Sequence, residues 1–440
     1  MVKGRRVSVA ILPRFILAAS LGGLVACASY THKMAVVREA FDQGDYDRAL
    51  KELDETGLKD RSEDRLLWNL ESATIFDRKG EYVKSRKLWF EADRIADDLF
   101  TVSISKTATS VIVSESSKDY EGEDYEKVAI HAMLAHQYIG LGQLNEAVIQ
   151  ARKINTKLNE ISQYFNPDGK YRYREDAHAR YLSALIYESR GELDSAIIDY
   201  RKAIELYEGD FSGFVVGRVP SGAVQGLYRC LYLRKRTDRL KEVLEKYGQT
   251  LNGIYSLGNE SQLLNTGEIV VVHELGRVAR KFPKEQFLTV GDQLVRFSSP
   301  IIKPNPLNDL GTGVQIDGKG FYNAENTIYF DAVAKESLEN RRARMVAKQM
   351  ARLVLKGQMN YQAQKKFGPL AGLAVNVLNN ATETADTRSW STLPQAFFVT
   401  RVRLAPGRYQ MVIKTNGREE ESQIVNISRG RINLFRSFDR

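Results

Sequence analysis

YIGLGQLNEAVIQARKI, residues 138–154, sets Gly142 between two amphipathic stretches. Three other stretches share its layout: FDQGDYDRALKEL (41–53), FDRKGEYVKSRKLWFEA (76–92) and YESRGELDSAIIDYRKA (187–203). In each, a large apolar residue lies two positions after the glycine (Gly44, Gly80, Gly142 or Gly191). A small residue lies five positions on (Ala49, Ser85, Ala147, Ala196), and a bulky or apolar one nine on. Upstream, Ala73/Phe76, Ala135/Tyr138 and Ala184/Tyr187 recur at matching offsets. A glycine that closes a helix does so by taking positive φ, which costs other residues more. The small residue then lets a second helix approach the first closely. The pattern therefore predicts helical hairpins.

This layout resembles the tetratricopeptide repeat, whose period is about 34 residues. The glycines are spaced 36, 62 and 49 residues apart, so the array is interrupted, with extra residues at 97–124 and 155–175. Stacked helix pairs make a concave surface for peptides or other proteins and supply no chemistry themselves. The insert SESSKDYEGEDYEK (114–127) is polar and acidic and reads as an exposed loop. Residues 222–247 read as one more helix, closed by Gly248, that caps the array.

From about residue 267 the pattern changes. GEIVVVHELG (267–276) is a buried strand by its β-branched run. QFLTVG (286–291) and GVQIDG (313–318) are weaker strands, with Pro300, Pro304 and Pro306 breaking the stretch between them. A long helix is expected over about 324–358, its Arg341, Arg342, Arg344 and Lys348 forming either a solvated basic face or one that meets lipid phosphate or an acidic partner. GPLAGLAVNVL (368–378) is too short to span a bilayer. It packs on that helix or lies in a membrane surface. AFFVTRVRL (396–404), RYQMVIKT (408–415), SQIVNI (422–427) and RINLFRSF (431–438) read as antiparallel strands, with Asn416-Gly417 a strong hairpin signal. The expected class is α+β: a helical repeat domain over 27–250, then 251–440 with mixed α/β structure and a terminal antiparallel sheet domain at about 396–438.

The N-terminus bounds the compartment. Lys3, Arg5, Arg6 and Arg14 precede twelve apolar or small residues, Phe15 to Ala26. This describes a secretory signal over 1–26. Leu24-Val25-Ala26-Cys27 resembles the bacterial lipobox, which implies acylation of Cys27 as the first mature residue. Several acyl chains make a stable anchor where one is marginal. Ala28 and Ser29 follow, which favours the outer membrane over the inner. The formal charge of +9 falls to about +5 once those four bases are removed, which needs no nucleic acid to explain it. Cys230, in GLYRCLYL, reads as a small buried hydrophobe.

Signs of chemistry are thin. GVQIDGKG (313–320) nearly matches a phosphate loop, but Gly320 stands where Ser or Thr must hold magnesium. A strand-to-strand turn explains its glycines better. His131 and His136 are five apart, off one helix face, and no histidine or cysteine set has zinc spacing. No cofactor, metal site or catalytic residue is expected. The most distinctive segment is ATETADTRSWSTLPQAFFVTRVRLAPGRYQMVI (381–413). It is either a structural corner, with Trp390 on the core and Arg388 paired with Asp386, or a contact surface in which Arg388 and Trp390 meet a partner.

The lipobox, YEGEDYEKVAIHAMLAHQYIGLGQLNEAVIQARKIN (120–155) and ADTRSWSTLP (385–394) together resemble a family of Gram-negative outer-membrane lipoproteins with tetratricopeptide-like repeats. That resemblance covers most of the mature chain. It brings no catalytic residues; members of that family tend to be encoded near LpoB-type lipoproteins, which activate penicillin-binding proteins, and the resemblance therefore implies a role in cell-envelope assembly. The expected function is a non-catalytic, periplasm-facing scaffold for envelope proteins, tethered to the membrane by lipid. A structural subunit of a secretion, flagellar or pilus machine, and an enzyme acting on peptidoglycan or polysaccharide, remain the alternatives.

Overall fold

The computed structural model describes residues 30–105, 118–164, 175–215, 217–251, 261–290, 293–307, 311–342, 345, 365–366 and 385–439. Cys27 with the signal over 1–26, most of the basic and apolar positions expected at 343–358, and the stretch 368–378 lie outside them.

Helices pair in order: α1 (Tyr30–Asp42) with α2 (Tyr46–Glu55), α3 (Arg65–Arg78) with α4 (Tyr82–Ser105), α5 (Asp124–Gly140) with α6 (Leu144–Tyr164), α7 (Ala177–Ser189) with α8 (Leu193–Glu208), and α9 (Ser221–Leu233) with α10 (Thr237–Leu251). All five turns close alike. The amides of Asp45, Glu81, Gln143, Glu192 and Arg236 each donate back five residues, to the carbonyls of Ala40, Phe76, Tyr138, Tyr187 and Leu231, at 2.8–3.0 Å. That is the long bond of a Schellman cap, and it needs a left-handed residue just before the donor. Gly44, Gly80, Gly142 and Gly191 supply it, and in the fifth turn Lys235 does, at φ 54°. Residues 222–247 therefore form parts of two helices and not one. The turn was illegible because a lysine stands where the other four carry glycine. The small residues Ala49, Ser85, Ala147 and Ala196 are fully buried, as close helix contact requires. Ser85 offsets its burial by donating to the Ala73 carbonyl at 2.9 Å.

A short helix α11 (Ser261–Asn265) leads into the strands: β1 (Gly267–Leu275), β2 (Lys281–Val290), β3 (Gln293–Ile302), β4 (Gly313–Ile316), β5 (Gly320–Asn323), β6 (Glu325–Tyr329), β7 (Ala396–Leu404), β8 (Gly407–Thr415), β9 (Arg418–Ile427) and β10 (Ile432–Phe438). They form a sheet of order β10-β1-β7-β6, a ribbon β2-β3 and a sheet of order β5-β4-β8-β9. The terminal strands are thus shared between two sheets, and β10 runs parallel to β1. β1 is buried along its whole length. Its alternate residues explain why: Val270 and Val272 face the helices, while Ile269 and Val271 face Val314, Ile316, Met411 and Ile413 of the second sheet. The result is three layers, helices on one sheet and that sheet on another, with β1 central.

Two expectations need correction. The helix set at about 324 begins at residue 330, because 325–329 are β6, paired with β7 and carrying buried Thr327 and Ile328. Pro300 does not break the chain. It lies within β3 opposite Pro283 of β2. A two-stranded ribbon tolerates such a pair, since edge strands leave backbone groups without ladder partners in any case. The phosphate-loop-like stretch is a turn between β4 and β5, as expected, and Asn416-Gly417 turns β8 into β9 with positive φ at both residues.

α9 approaches the first sheet through glycine. A Cβ at Gly226 would lie 2.3 Å from the Tyr200 ring and 2.7 Å from an Arg401 nitrogen. We expect Gly226→Ala to cost about 1–3 kcal/mol, the range for forced overpacking. Gly213→Ala, at a glycine with open space around it, should be close to neutral. Urea denaturation of the two variants distinguishes them.

Candidate functional site

In a stacked helical array the first helix of each pair lines the inner face. Here α5 and α7 are buried along almost their whole length. What covers them is this chain's own first sheet and the segment 385–395. The groove expected to receive a partner is occupied from within.

The segment ahead of β7 is held by two carboxylates. Glu126 of α5 accepts the Trp390 amide at 2.9 Å. Glu71 of α3 accepts the Ser391 amide at 2.6 Å and the Thr392 amide at 3.0 Å, with the Thr392 hydroxyl at 2.6 Å. Burial pushes both carboxyls up from their ordinary range, against these donors. Glu126 also accepts the Tyr120 hydroxyl at 2.5 Å and the Glu123 amide at 2.9 Å, the return half of a capping box. The stretch read as an exposed acidic loop therefore ends in a buried cap. Glu123 faces Lys281 at 2.6 Å and also pairs with Arg341, so that arginine is not part of a free basic face.

Arg388 and Trp390 belong to this clasp and not to an outer contact surface. They are 4% and 0% exposed. Arg388 pairs with Asp386 and with Asp64, both at 2.8 Å, and donates to the Lys118 carbonyl at 2.9 Å. Burial opposes its charge, yet these partners hold its pKa above the usual arginine value. The Trp390 indole N–H donates to Thr74 Oγ1 at 3.0 Å, and its ring lies 5.0 Å from Trp89. An amphipathic pair in the sequence fits a core anchor and an interface anchor equally well; burial decides for the core.

Two further ionic clusters join helices to sheet. Arg436 of β10 takes Asp77 of α3 in a fork at 3.0 and 2.5 Å and reaches Glu274 of β1 at 2.5 Å. Arg78 also donates to Glu274, and His136 Nδ1 lies 3.0 Å from it. Burial alone would raise Glu274, but Arg436 and Arg78 hold it well below the carboxylate range. Nearby, Glu188 of α7 receives Arg401 of β7 at 3.0 Å on both oxygens, Arg229 of α9 at 2.9 Å and the Tyr200 hydroxyl at 2.5 Å. Its pKa is lowered by the same arginines against burial. At the array's end, Glu325 of β6 accepts the Ser221 and Gly222 amides, satisfying the free N-terminus of α9 from outside its own segment.

Both buried carboxylates, Glu71 and Glu126, end on backbone amides. Two buried histidines meet hydroxyls: His178 meets Thr327 at 2.8 Å, His273 meets Thr400 at 2.9 Å, and burial pushes His273 down to about 3. Cys230 is buried and its thiol is pushed well up, which keeps it a thiol. Among the described residues no group of three or more His, Cys, Asp and Glu could hold a metal, and no helix is long and apolar enough to cross a membrane.

The sequence does carry a signal for these clusters. Glu268 and Glu274 interrupt an otherwise apolar buried strand, and acids recur within the apolar first helices at Glu71, Glu126 and Glu188. A buried acid needs a donor. Only packing says which one.

Two segments match tetratricopeptide-repeat family models: residues 36–98 and 177–210. They are the first two helix pairs and the fourth. A comparison with curated proteins finds no match. Among solved structures the chain is similar to MamA AMB-1, at 11% identity over 53% of this chain and 96% of that one, TM-score 0.30. It is also similar to a putative kinesin light chain of Podosopora anserina with nearly identical TPR-like repeats, at 17% identity over 50% of this chain and 92% of that one, TM-score 0.30. BtubC (BKLC) from P. vanneervenii is 15% identical over 56% of this chain and 95% of that one, TM-score 0.33. Tetratricopeptide repeats suggest a protein-interaction scaffold, and no enzyme family is indicated.

With the inner face closed, the second helices face outward. Val83 and Phe90 of α4, Ile149 of α6 and Ile198 of α8 are 62%, 43%, 53% and 65% exposed. Ile149 and Ile198 occupy the same place in successive repeats, seven residues after Gly142 and Gly191.

Breaking a buried charge cluster should cost more than breaking a surface pair. Arg436→Met leaves Asp77 and Glu274 short of a partner, and we expect a loss of about 3–5 kcal/mol. Lys246→Met, at an exposed pair with Glu208, should cost under about 1 kcal/mol. Urea titration measures both. Glu274 and Glu188 have folded pKa values below their ordinary 4.5. Their contribution is complete above that pH and is lost as pH falls through the folded values. Glu71 and Glu126, raised by burial, act in the opposite direction, so the check is a difference: the thermal midpoint of wild type should lose more than that of Glu274→Gln on acidification below about pH 4.5.

Proposed function

We propose that this chain is an outer-membrane lipoprotein, anchored by acyl chains on Cys27 and facing the periplasm. It serves as a non-catalytic scaffold for a cell-envelope protein complex. Its partners are other envelope proteins, with an LpoB-type lipoprotein or the cell-wall synthesis machinery as the first candidates. The membrane is reached through the anchor. The observation that carries the scaffold is the repeated outward placement of Ile149 and Ile198, with Val83 and Phe90 nearby in the array. Large apolar side chains at matching repeat positions need a surface to cover them, whereas scattered single ones do not. The lipobox and signal support the anchor.

Two measurements test this. Mass spectrometry of the purified protein should find diacylglycerol on Cys27 and the chain cut before it; an unmodified Cys27 removes the anchor. Photo-crosslinking residues placed at Ile149 and Ile198 in living cells should capture discrete envelope proteins, whereas one at exposed Lys319 should not. Equal capture at all three positions would remove the scaffold surface. Recovery of ring components of a trans-envelope machine would assign the partners to that class instead of cell-wall synthesis.

A further inference from the structure

β9 ends the second sheet on one side, and among the described residues no strand lies beyond it. Its cross-strand partners fix its two faces. Val425, opposite Tyr409, turns to the core shared with β1, while Ser422, Ile424 and Asn426, opposite Val412, Gln410 and Arg408, lie on the other face. Those three are exposed, Ile424 to 50%.

An open strand edge is a template for another chain, and proteins blunt it with charge, proline, a bulge, shortness or cover. The other edges here follow that rule. β5 has four residues and β6 five. The β2-β3 ribbon carries Pro283 and Pro300, and β10 lies against α5 and α7. β9 is blunted at one end alone, where Glu419, Glu420 and Glu421 stand beside a register shift at Lys414. From Ser422 to Ile427 it has no charge, no proline and no glycine, and three of its residues are β-branched: Ile424, Val425 and Ile427. That is the composition of a segment that pairs with its own kind.

We propose that β9 is a dimer interface: its uncharged half pairs antiparallel with the same strand of a second copy of this chain, joining two four-stranded sheets into one. The charge layout selects that occupant and its direction. A parallel, in-register pair would set Glu419, Glu420 and Glu421 against themselves, and like charges opposite one another repel. An antiparallel pair centred on Ile424 places Ile424 against its own copy, Ser422 against Asn426 and Gln423 against Val425. Outward residues then stay with outward ones, as the two-residue period requires. Glu419 comes level with the second copy's Arg429, once at each end of the paired segment. Arg429 is exposed in the turn after β9 and has no acid partner among the described residues, while exposed Glu419 reaches Lys414 at 3.5 Å. A two-fold interface uses one patch twice, as this one does. The second sheet lies across the first from the helices, so the pairing leaves Ile149 and Ile198 open and stands apart from the scaffold surface.

The test is sedimentation equilibrium of the purified full chain. Wild type should form a concentration-dependent dimer and Ile424→Lys a monomer. Glu419→Arg should weaken association about tenfold, because the repelling pair occurs twice in each dimer. Adding Arg429→Glu to that variant should restore it. Glu419 and Arg429 are both exposed, so this charge swap keeps the test valid if Ile424→Lys unfolds on thermal melting. With an added oxidant, Ile424→Cys should link two copies by a disulfide, whereas wild type, with Cys27 and Cys230, and Gln410→Cys, one strand further in, should not. A monomeric wild type, or a dimer indifferent to both Ile424→Lys and the charge swap, overturns the proposal. A photo-crosslinker at Ile424 that captures a different protein while the chain sediments as a monomer also overturns it, and gives the edge to that protein's strand.

Discussion

Three consecutive amides, those of Trp390, Ser391 and Thr392, end on two buried carboxylates carried by different helices, Glu126 and Glu71. Neither side can exist alone. A carboxylate taken out of water without donors costs several kcal/mol, and an unpaired buried amide costs a large fraction of that. The helix array and the segment ahead of β7 therefore become native together. The Trp390 ring fills the space between, against Trp89, and the Arg388 guanidinium seals the flank through Asp64 and Asp386.

The same logic repeats along the inner face. Glu274, Asp77 and Arg436 tie β1 and β10 to α3, and Glu188 with Arg401 ties β7 to α7. Such clusters contribute little net stability over well-packed apolar residues; their known use is in fixing a register. That use fits β10, which lies parallel to β1 at the sheet's edge. An edge strand bound only by apolar contacts could slip by two residues and keep its burial pattern. Arg436 meets both Asp77 and Glu274 in one register only.

A closed inner face changes what tetratricopeptide architecture offers. The open groove of a stacked array usually receives a partner's segment. Here that groove holds β10, β1, β7 and β6, and the outward second helices carry the exposed apolar residues instead. The array acts as a curved frame around its own sheet. The β2-β3 ribbon meets the first helix of this frame, where the Thr31 hydroxyl of α1 donates to the Lys281 carbonyl at 3.0 Å.

Local chemistry made much of this legible in the residues alone. Glycine at a left-handed turn, alanine at a close contact and β-branched runs in β1 act within a few positions, so four helix pairs and most strands could be read in order. The fifth pair was hidden because Lys235 takes the turn conformation without glycine. The helix start at residue 330 was misplaced because β6 is a strand only by pairing with β7. The clasp was visible only as an unusual segment: Arg388 and Trp390 fit either an interior or a partner, and beyond the neighbouring Asp386 the acids that hold them, Asp64 and Glu126, lie more than 250 residues earlier in the chain. Sequence thus determined the elements, whose causes are local. The tertiary structure alone decided which face of the array is free, because a buried charge finds its donor through packing across the whole chain.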